Sequence, residues 1–360
     1  MHVRQLLNLA APVAAGVMLV SPLTAQAPSP APPQVTVGGV VYGQYQYDIQ
    51  DSIGAAGANL GKQNQFSVKR AYINVIGRFA GGLQTRVTGD IAPVGVGNQV
   101  FRLKYAYAAW TPANSSLTYK FGLTQTPWLD WEEALWDYRM QGQMAYERAG
   151  YGTAADFGFG IDGKWHNDQV NAQFAVVNGE GYSSGTGDKR KDAQLRVSVR
   201  LMDTDDASRV GGLRITGYAG VGKRTGGGDR NRFIGMISYK SKQFTLAGEY
   251  IATKDTISPV AADSLNLGGG TSATGSVLSA YGVVRFPNSP VAAIARVDVT
   301  DPNTGTNPNK LTRFIGGLSY QVNANLRMLA DVDLLSFEAT PSNATTATRE
   351  QALVQMQLTF

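Results

Sequence analysis

The sequence contains no cysteine and only two histidines among its 360 residues. Without cysteine the chain forms no disulfide and offers no thiolate to a metal ion. His166 is the one histidine downstream of His2, and it lies in a predicted turn, where a solvated imidazole is more common than a catalytic one. Because no nucleophile is accompanied by an oriented base, the sequence predicts no catalytic residues, no cofactor, no metal site and no enzyme activity.

Long apolar segments are missing beyond the first residues of the chain. Arg4, the apolar residues 6–20 and the small-x-small sequence of residues 25–27 predict a signal peptide of residues 1–27. A membrane anchor is the alternative, but the proline within the apolar stretch and the shortness of that stretch argue against it. Residues 28–34 follow as a proline-rich leader.

No later segment has the roughly 20 unbroken apolar residues that a membrane helix requires. An exported chain without such a helix can enter a membrane only as a closed barrel, because helices and closed barrels are the structures that leave no backbone group unpaired in lipid. The sequence therefore predicts residues 35–360 to be a single β-barrel in the outer membrane of a Gram-negative-type bacterium.

Alternation of apolar and polar residues is the dominant pattern of this region, and a period of two indicates strands with one apolar and one polar face. Four such runs follow one another between residues 66 and 124. In the third run, the set expected to face away from Arg102 and Lys104 is Phe101, Leu103, Tyr105, Tyr107 and Ala109. In the fourth run, the set expected to face away from Lys120 is Leu117, Tyr119, Phe121 and Leu123.

About sixteen such runs continue to the end of the chain, an even number as in bacterial outer-membrane barrels. Their connections alternate in length, as in barrels with short turns on one side of the membrane and longer loops on the other. The long connections are near residues 48–64, 125–152, 178–191, 254–274 and 338–348, and the short ones near 80–82, 112–115, 166–168, 241–242 and 287–290. A soluble β-sandwich, the alternative, has no reason to sort its loops. The predicted fold class is all-β, a transmembrane antiparallel β-barrel.

The charged residues of the predicted strands lie on the polar face of each strand. Exceptions such as Lys69 lie near predicted strand ends. This segregation is expected if the apolar face meets lipid, where a Lys or Arg costs about 2–4 kcal/mol at the midplane. The basic residues expected to line the pore include Arg70, Arg86, Arg102, Lys104, Lys120, Arg196, Arg200, Arg214, Arg296, Arg313 and Arg327. Bases outnumber acids on this face, which favours anions in a narrow channel. The alternative is that salt screens the basic lining so strongly that it has little effect on which ions pass.

The longest connection, residues 125–152, is predicted to fold into the barrel and constrict it, and is called here the constriction loop. It contains three of the five tryptophans of the chain, which indicates that the loop packs against another surface. The charged residues expected to form the constriction are Asp130, Glu132, Glu133, Asp137 and Arg139, and Glu147 and Arg148 follow later in the loop. The acids are expected to face the basic wall residues Arg70, Arg86, Arg102 and Lys104. The alternative is an outward loop that packs on neighbouring loops or on a trimer partner.

Two stretches resemble the phosphate-selective outer-membrane porins of the O and P type. The first is the sequence Phe-Ser-Val-Lys-Arg-Ala-Tyr-Ile of residues 66–73, followed by Gly77 and Phe79. The second is the sequence Phe-Gly-Leu-Thr-Gln-Thr-Pro-Trp of residues 121–128, preceded by residues 106–108. The resemblance covers roughly residues 65–160 and implies a trimeric, sixteen-stranded channel that prefers anions, phosphate among them.

The functional hypothesis is passive diffusion of small hydrophilic solutes, with anions preferred. The alternatives are a weakly selective general or sugar-admitting porin and a non-conducting structural barrel. The expected partners are outer-membrane lipid and lipopolysaccharide, small anionic solutes and two further copies of the chain in a homotrimer; no nucleic acid is expected. The last run, which ends at Phe360, resembles the C-terminal signal that the barrel assembly machinery reads.

Overall fold

The computed structural model describes residues 32–50, 63–94, 98–183, 188–224, 228–256, 272–340 and 347–360. The predicted signal peptide and most of the leader lie outside the described residues. The first eight strands are β1 (Gln34–Gln50), β2 (Asn64–Arg78), β3 (Leu83–Val94), β4 (Asn98–Trp110), β5 (Leu117–Gln125), β6 (Ala155–Trp165), β7 (Val170–Val177) and β8 (Asp192–Met202). The remaining strands are β9 (Gly212–Val221), β10 (Arg230–Lys240), β11 (Phe244–Thr256), β12 (Ser272–Arg285), β13 (Val291–Asp301), β14 (Leu311–Gln321), β15 (Leu326–Phe337) and β16 (Thr348–Thr359).

The strands form one closed antiparallel barrel in which every strand pairs with its neighbours in sequence and β1 pairs with β16. At the seam, the amide nitrogen of Gly39 lies 2.8 Å from the carbonyl oxygen of Phe360, and the reverse hydrogen bond measures 3.0 Å. Closure pairs the backbone groups that a sheet edge would leave exposed. The prediction of an all-β antiparallel barrel with sixteen strands is confirmed.

The outer face of the barrel is apolar and the inner face is polar. On the outside, Phe66 is 85% exposed and Phe121 is 74% exposed, whereas the inward Asp90 and Arg196 are 0% and 1% exposed. The connections after β2, β4, β6, β10 and β12 are short and lie at one end, called here the short-turn end. The constriction loop leaves β5 and enters β6 at the other, long-loop end. Exposed aromatic residues mark the short-turn end, including Phe79, Trp110, Trp165, Phe286, Tyr320 and Phe360.

A one-residue bulge in β4 overturns part of the predicted face assignment. Thr88 pairs with Tyr105 and Gly89 with Leu103, so Lys104 has no partner of its own in β3. An extra residue in one strand reverses the alternation beyond it. Tyr105 and Ala109 are therefore buried on the inner face with Lys104, and Tyr107 joins them there, hydrogen-bonded through its hydroxyl to the Gln125 side chain. The prediction that these three residues share the outer face with Phe101 and Leu103 was wrong.

Two further irregularities follow the same principle. Tyr42 pairs with Arg70 and Gly43 with Val68, so Lys69 is the extra residue of a bulge rather than a residue at a strand end. In β5, Gly122 has a φ of 122°. Leu123, which was predicted to face outward, is 1% exposed and packs with Tyr105. Local backbone irregularity, which a strict period of two does not anticipate, accounts for these differences.

The constriction loop contains two helices, α1 (Pro127–Trp136) and α2 (Ala145–Arg148). Proline at the first position of α1 suits a helix start, since its missing N–H would have had no partner there. The helix ends at Asp137, which adopts a left-handed conformation with a φ of 64°. No helix in the described part of the chain has the length and apolarity that a bilayer-spanning helix requires.

Candidate functional site

The constriction loop lies inside the barrel and packs on its inner wall. Trp128, Trp131 and Trp136 are 1%, 0% and 0% exposed. The ring of Trp128 lies 5.8 Å from that of Tyr218 on β9, and the ring of Trp136 lies 5.2 Å from that of Tyr281 on β12. The tryptophans that suggested packing in the sequence therefore hold α1 against the wall formed by β7 to β12.

Polar contacts fix the end of α1 to the barrel wall. The carboxylate of Asp137 accepts hydrogen bonds from Lys240 at 3.1 Å and from Arg285 at 2.8 Å. Its backbone carbonyl accepts a further bond from Arg327 at 3.0 Å. These three bases come from β10, β12 and β15, so one acidic residue of the loop ties it to widely separated strands.

Four arginines that the sequence assigned to the pore wall are buried rather than open to water. Arg196, Arg214, Arg296 and Arg313 are each 0% or 1% exposed. Arg196 and Arg214 stack on the ring of Trp131 at 4.2 and 5.4 Å. Arg296 donates to the carbonyl oxygen of Gln143 at 3.1 Å, and Arg313 pairs with Asp333 at 2.6 Å. Their charges hold the loop and its supporting wall.

On its other side the loop faces a cavity of about 390 Å³ that separates it from the wall of β1 to β4. The basic residues lining it are Arg86, Lys104, Arg139 and Arg209. The acidic residues lining it are Asp130, Glu133 and Asp137. Loop acids and wall bases therefore line the same cavity, which is called here the narrow cavity.

Each acid of the narrow cavity has a basic partner. Asp130 pairs with Arg209 at 2.6 Å, and Glu133 pairs with Arg139 at 2.8 Å. Burial alone would raise the pKa of Glu133, but the charges of Arg139 and Lys104 outweigh it and lower that pKa. In the same way Arg209 overcomes the effect of burial and lowers the pKa of Asp130. Both carboxylates therefore stay ionised at neutral pH.

Two bases of the narrow cavity have no acidic partner. Arg86 donates to Asn74 at 2.8 Å and lies 4.5 Å from the ring centre of Tyr105. Lys104 donates to the hydroxyl of Tyr72 at 3.2 Å. Among the described residues, no carboxylate lies within 4.0 Å of either cation. The positive charge of the cavity is therefore concentrated on Arg86 and Lys104.

A second basic group lies nearer the long-loop end. Arg70 and Arg102 both contact the carboxylate of Asp90, at 3.0 and 2.9 Å. The hydroxyl of Tyr182, from the connection after β7, accepts hydrogen bonds from Arg70 at 2.8 Å and from Arg102 at 3.3 Å. One carboxylate serves two guanidinium groups here, so this level of the wall also carries more positive than negative charge.

Two of the remaining predicted wall bases are paired with acids. Lys120 lies 2.5 Å from Asp162, and Arg200 lies 2.7 Å from Asp203 at the short-turn end. Arg327, in addition to its bond to the loop, lies 4.9 Å from the ring centre of Tyr138. Lys120 and Arg200 therefore contribute less uncompensated charge than the wall of β2 to β4.

Glu132 does not face the basic wall as predicted. It is 0% exposed and turns to the opposite side, where it meets Glu249 of β11. Successive residues of a helix point about 100° apart, so Glu132 and Glu133 cannot share one face. No local pattern in the sequence signals this partner or the inward position of Arg209 and Tyr182, because all three contacts join segments far apart in the chain.

The sequence matches no family model and no curated protein. The structure is similar to the anion-selective porin from Comamonas acidovorans, with a TM-score of 0.64 and 12% identity over 91% of this chain and 100% of that chain. It is also similar to the outer membrane channel DcaP of Acinetobacter baumannii, with a TM-score of 0.63, 12% identity, and coverage of 91% of this chain and 97% of that chain.

A third similar structure is OmpF of Salmonella typhi in complex with daunomycin, with a TM-score of 0.64 and 14% identity over 91% of this chain and 97% of that chain. At such identities the likeness establishes the fold. The narrower resemblance to the phosphate-selective porins finds no support in these comparisons. The chain has the general fold of the sixteen-stranded bacterial porins, a closed antiparallel barrel with a helical segment in its long loop.

Proposed function

We propose that this protein is an outer-membrane porin through which small hydrophilic solutes diffuse passively, with anions preferred over cations. The observation that carries the proposal is the pair of cations Arg86 and Lys104, which have no carboxylate within 4.0 Å among the described residues, whereas the loop acids Asp130 and Glu133 each contact an arginine. A low-dielectric wall focuses such a charge on the aqueous path and enriches anions there. A passing anion therefore meets two cations that no carboxylate of the described residues contacts.

The constriction loop supports a size limit for the same path. The narrow cavity of about 390 Å³ lies between the loop and the opposite wall, so the loop occupies space that would otherwise be open. Deleting residues 132–143 is expected to raise single-channel conductance, because this segment lies inside the barrel. Unchanged conductance in a correctly folded deletion variant would argue against any role of the loop as a constriction.

Phosphate is a specific candidate among the anions. The planar fork of a guanidinium matches two oxygens of a phosphate, and arginines occur here at two successive levels, Arg70 and Arg102 nearer the long-loop end and Arg86 below them. Bi-ionic reversal potentials with phosphate against chloride measure this preference directly. Equal permeability after correction for mobility would leave a general anion preference without phosphate selectivity.

The deciding experiment is planar-bilayer recording of the purified barrel in a KCl gradient. Conductance steps with a reversal potential on the anion side support the proposal, and a reversal potential on the cation side removes the anion preference. Steps without selectivity, together with sugar uptake in liposome swelling, favour the general or sugar-admitting porin. A folded barrel that never conducts favours the structural protein.

We also propose that the barrel forms a homotrimer surrounded by lipid and lipopolysaccharide. Its outer wall exposes large apolar side chains on neighbouring strands, with Phe66 at 85%, Phe101 at 66% and Phe121 at 74% exposure. Such a surface is suited to hydrocarbon or to a second apolar wall. Mass measurement in mild detergent distinguishes a trimer from a monomer.

A further inference from the structure

Two acidic side chains face each other where the constriction helix meets the barrel wall. Glu132 belongs to α1 and Glu249 to β11, and they are 0% and 2% exposed. Their carboxyl groups lie within hydrogen-bonding distance of each other. None of their four oxygens has a hydrogen-bond donor from the rest of the described residues. These two residues are called here the carboxyl pair.

The strands beside Glu249 offer its carboxyl group no hydrogen-bond donor. Its direct neighbours across the sheet are Met236 on β10 and Ser279 on β12. Met236 has no proton to donate, and the hydroxyl of Ser279 is directed to Asp298 at 2.7 Å. A buried carboxylate without a donor is costly, so the partner carboxyl must supply the missing hydrogen bond.

The other charged and titratable groups facing the pair do not neutralise it. Arg296 on β13 is the nearest base, and it lies 2.8 Å from Asp298 on the same strand. This ion pair offers the carboxyl pair little net charge. Tyr281 on β12 faces the pair with a buried hydroxyl that has no hydrogen-bond partner among the described residues.

Two carboxylates in contact in a dry site cannot both be ionised, and the stable arrangement contains one proton between them. The protonated group then donates an O–H···O⁻ hydrogen bond, which is among the stronger hydrogen bonds in proteins. Burial, reinforced by the neighbouring Glu249, raises the pKa of Glu132 well above its ordinary value, so the proton is retained at neutral pH. Raising the pH through this elevated value removes the proton and leaves two buried like charges.

We propose that a proton shared by Glu132 and Glu249 positions the constriction helix against the barrel wall, and that alkaline solution releases the helix by removing this proton. Glu132 and Glu249 are thus positioning residues that act on the width of the channel through α1. The ring contacts of Trp128 and Trp136 and the bonds of Asp137 also hold the helix. Release therefore requires the repulsion between the two carboxylates that follows loss of the proton.

The absence of cysteine allows a direct test by thiol accessibility in the full-length protein. Leu129 lies on α1 and is 0% exposed, so a thiol introduced by Leu129→Cys reacts with a charged methanethiosulfonate reagent only when the helix leaves the wall. Modification rates are measured from pH 7 to pH 10 in detergent, on protein whose heat-modifiable mobility shows a folded barrel. Each rate is divided by the thiolate fraction at that pH.

With the native carboxyl pair, the corrected rate is expected to rise about tenfold per pH unit once the pair begins to lose its proton. In a Glu249→Gln background the amide supplies a permanent donor to Glu132, so the corrected rate should stay low and independent of pH. In Glu132→Gln the amide donates to Glu249 instead, so the corrected rate should again stay low and independent of pH. Glu133→Gln, a change of equal charge outside the pair, should keep the native pH profile.

An identical pH profile in the Glu249→Gln and native backgrounds would overturn the proposal, and so would a thiol that stays protected up to pH 10. A thiol that reacts at every pH would show that the helix is not held by the pair at all. The labelling readout does not depend on conduction. A barrel that labels as expected but shows no channel activity would therefore remove the proposed function and leave this inference intact.

Discussion

The ammonium group of Lys104 lies 4.5 Å from the centre of the Tyr72 ring and 3.2 Å from the hydroxyl of the same residue. The guanidinium of Arg86 lies 4.5 Å from the ring centre of Tyr105 in the same way. An aromatic face stabilises a cation without neutralising it. The bulge at Lys104 produces this arrangement, because it places Lys104 and Tyr105 on the inner face together. Tyrosines thus hold the cations in place while their charge stays available to a solute.

Replacing Arg86 and Lys104 together by glutamine should reduce the preference for anions. The double variant removes two positive charges and leaves the paired acids of the narrow cavity in place. We expect the anion-to-cation permeability ratio to fall about threefold or more, since focused charges act over roughly a Debye length of 8 Å. Reversal potentials in a KCl gradient measure the ratio.

The matched control removes the same charge from the rim. Arg78 and Lys164 are exposed at the short-turn end, where water and salt screen them. The double change Arg78→Gln and Lys164→Gln should leave the permeability ratio within error of the native value. A shift as large as that of the Arg86 and Lys104 variant would mean that overall charge, rather than the narrow cavity, sets selectivity.

Lowering the pH should strengthen the preference for anions only when Asp130 and Glu133 become protonated. The pKa values of Asp130 and Glu133 are held below their ordinary values by Arg209 and by Arg139 with Lys104, respectively. Depressed pKa values keep both residues ionised until the pH falls below about 4. The permeability ratio should therefore be constant from about pH 7 to pH 5 and rise below about pH 4, as the acids lose their negative charge.

In Glu133→Gln the permeability ratio should already be higher at neutral pH, with a smaller further rise in acid. Reversal potentials at a series of pH values test both expectations. A ratio that begins to rise near pH 6 would show that the basic partners do not hold these carboxylates ionised.

Asp90→Asn should destabilise the barrel, because it leaves Arg70 and Arg102 without their shared counter-charge. Removing one partner of a fully buried ion pair costs about 3–5 kcal/mol. We expect roughly 2 kcal/mol here, because water reaches Arg102, whose side chain is 27% exposed. Urea unfolding of the barrel in detergent, followed by its heat-modifiable mobility, measures the loss.

Asp162→Asn is the control for Asp90→Asn. Asp162 also pairs with a wall base, Lys120, but its side chain is 28% exposed and has a single partner. A cost of about 1 kcal/mol or less is expected. Equal losses in the two variants would contradict the idea that Asp90 is the shared partner of two arginines.

Gly122→Ala should impair folding, while Gly235→Ala should be tolerated. A Cβ at Gly122 would lie 2.4 Å from the carbonyl oxygen of Ala106, and the φ of 122° suits only glycine. This strain costs about 1–3 kcal/mol. A Cβ at Gly235 meets no atom within 4 Å. The folded fraction on semi-native gels should fall for the first variant and stay near native for the second.

The barrel itself could be predicted from the sequence because its determinants act residue by residue. Lipid penalises each outward charge separately, so apolar and basic residues had to alternate along every strand. The same local signals gave the number of strands and the alternating lengths of the connections. The tryptophans of residues 128, 131 and 136 likewise indicated that the long connection packs against another surface.

The contacts that define the candidate site could be known only from the tertiary structure. Single-residue bulges brought Tyr105 and Lys104 to one face, and no period of two reports where a strand carries an extra residue. Which arginines lie under the loop, and which acid meets Glu249, depends on contacts such as that of Arg327 with Asp137, 190 residues apart. The sequence determined the wall of the barrel through local alternation; the folding of one loop across it decided where charge faces water.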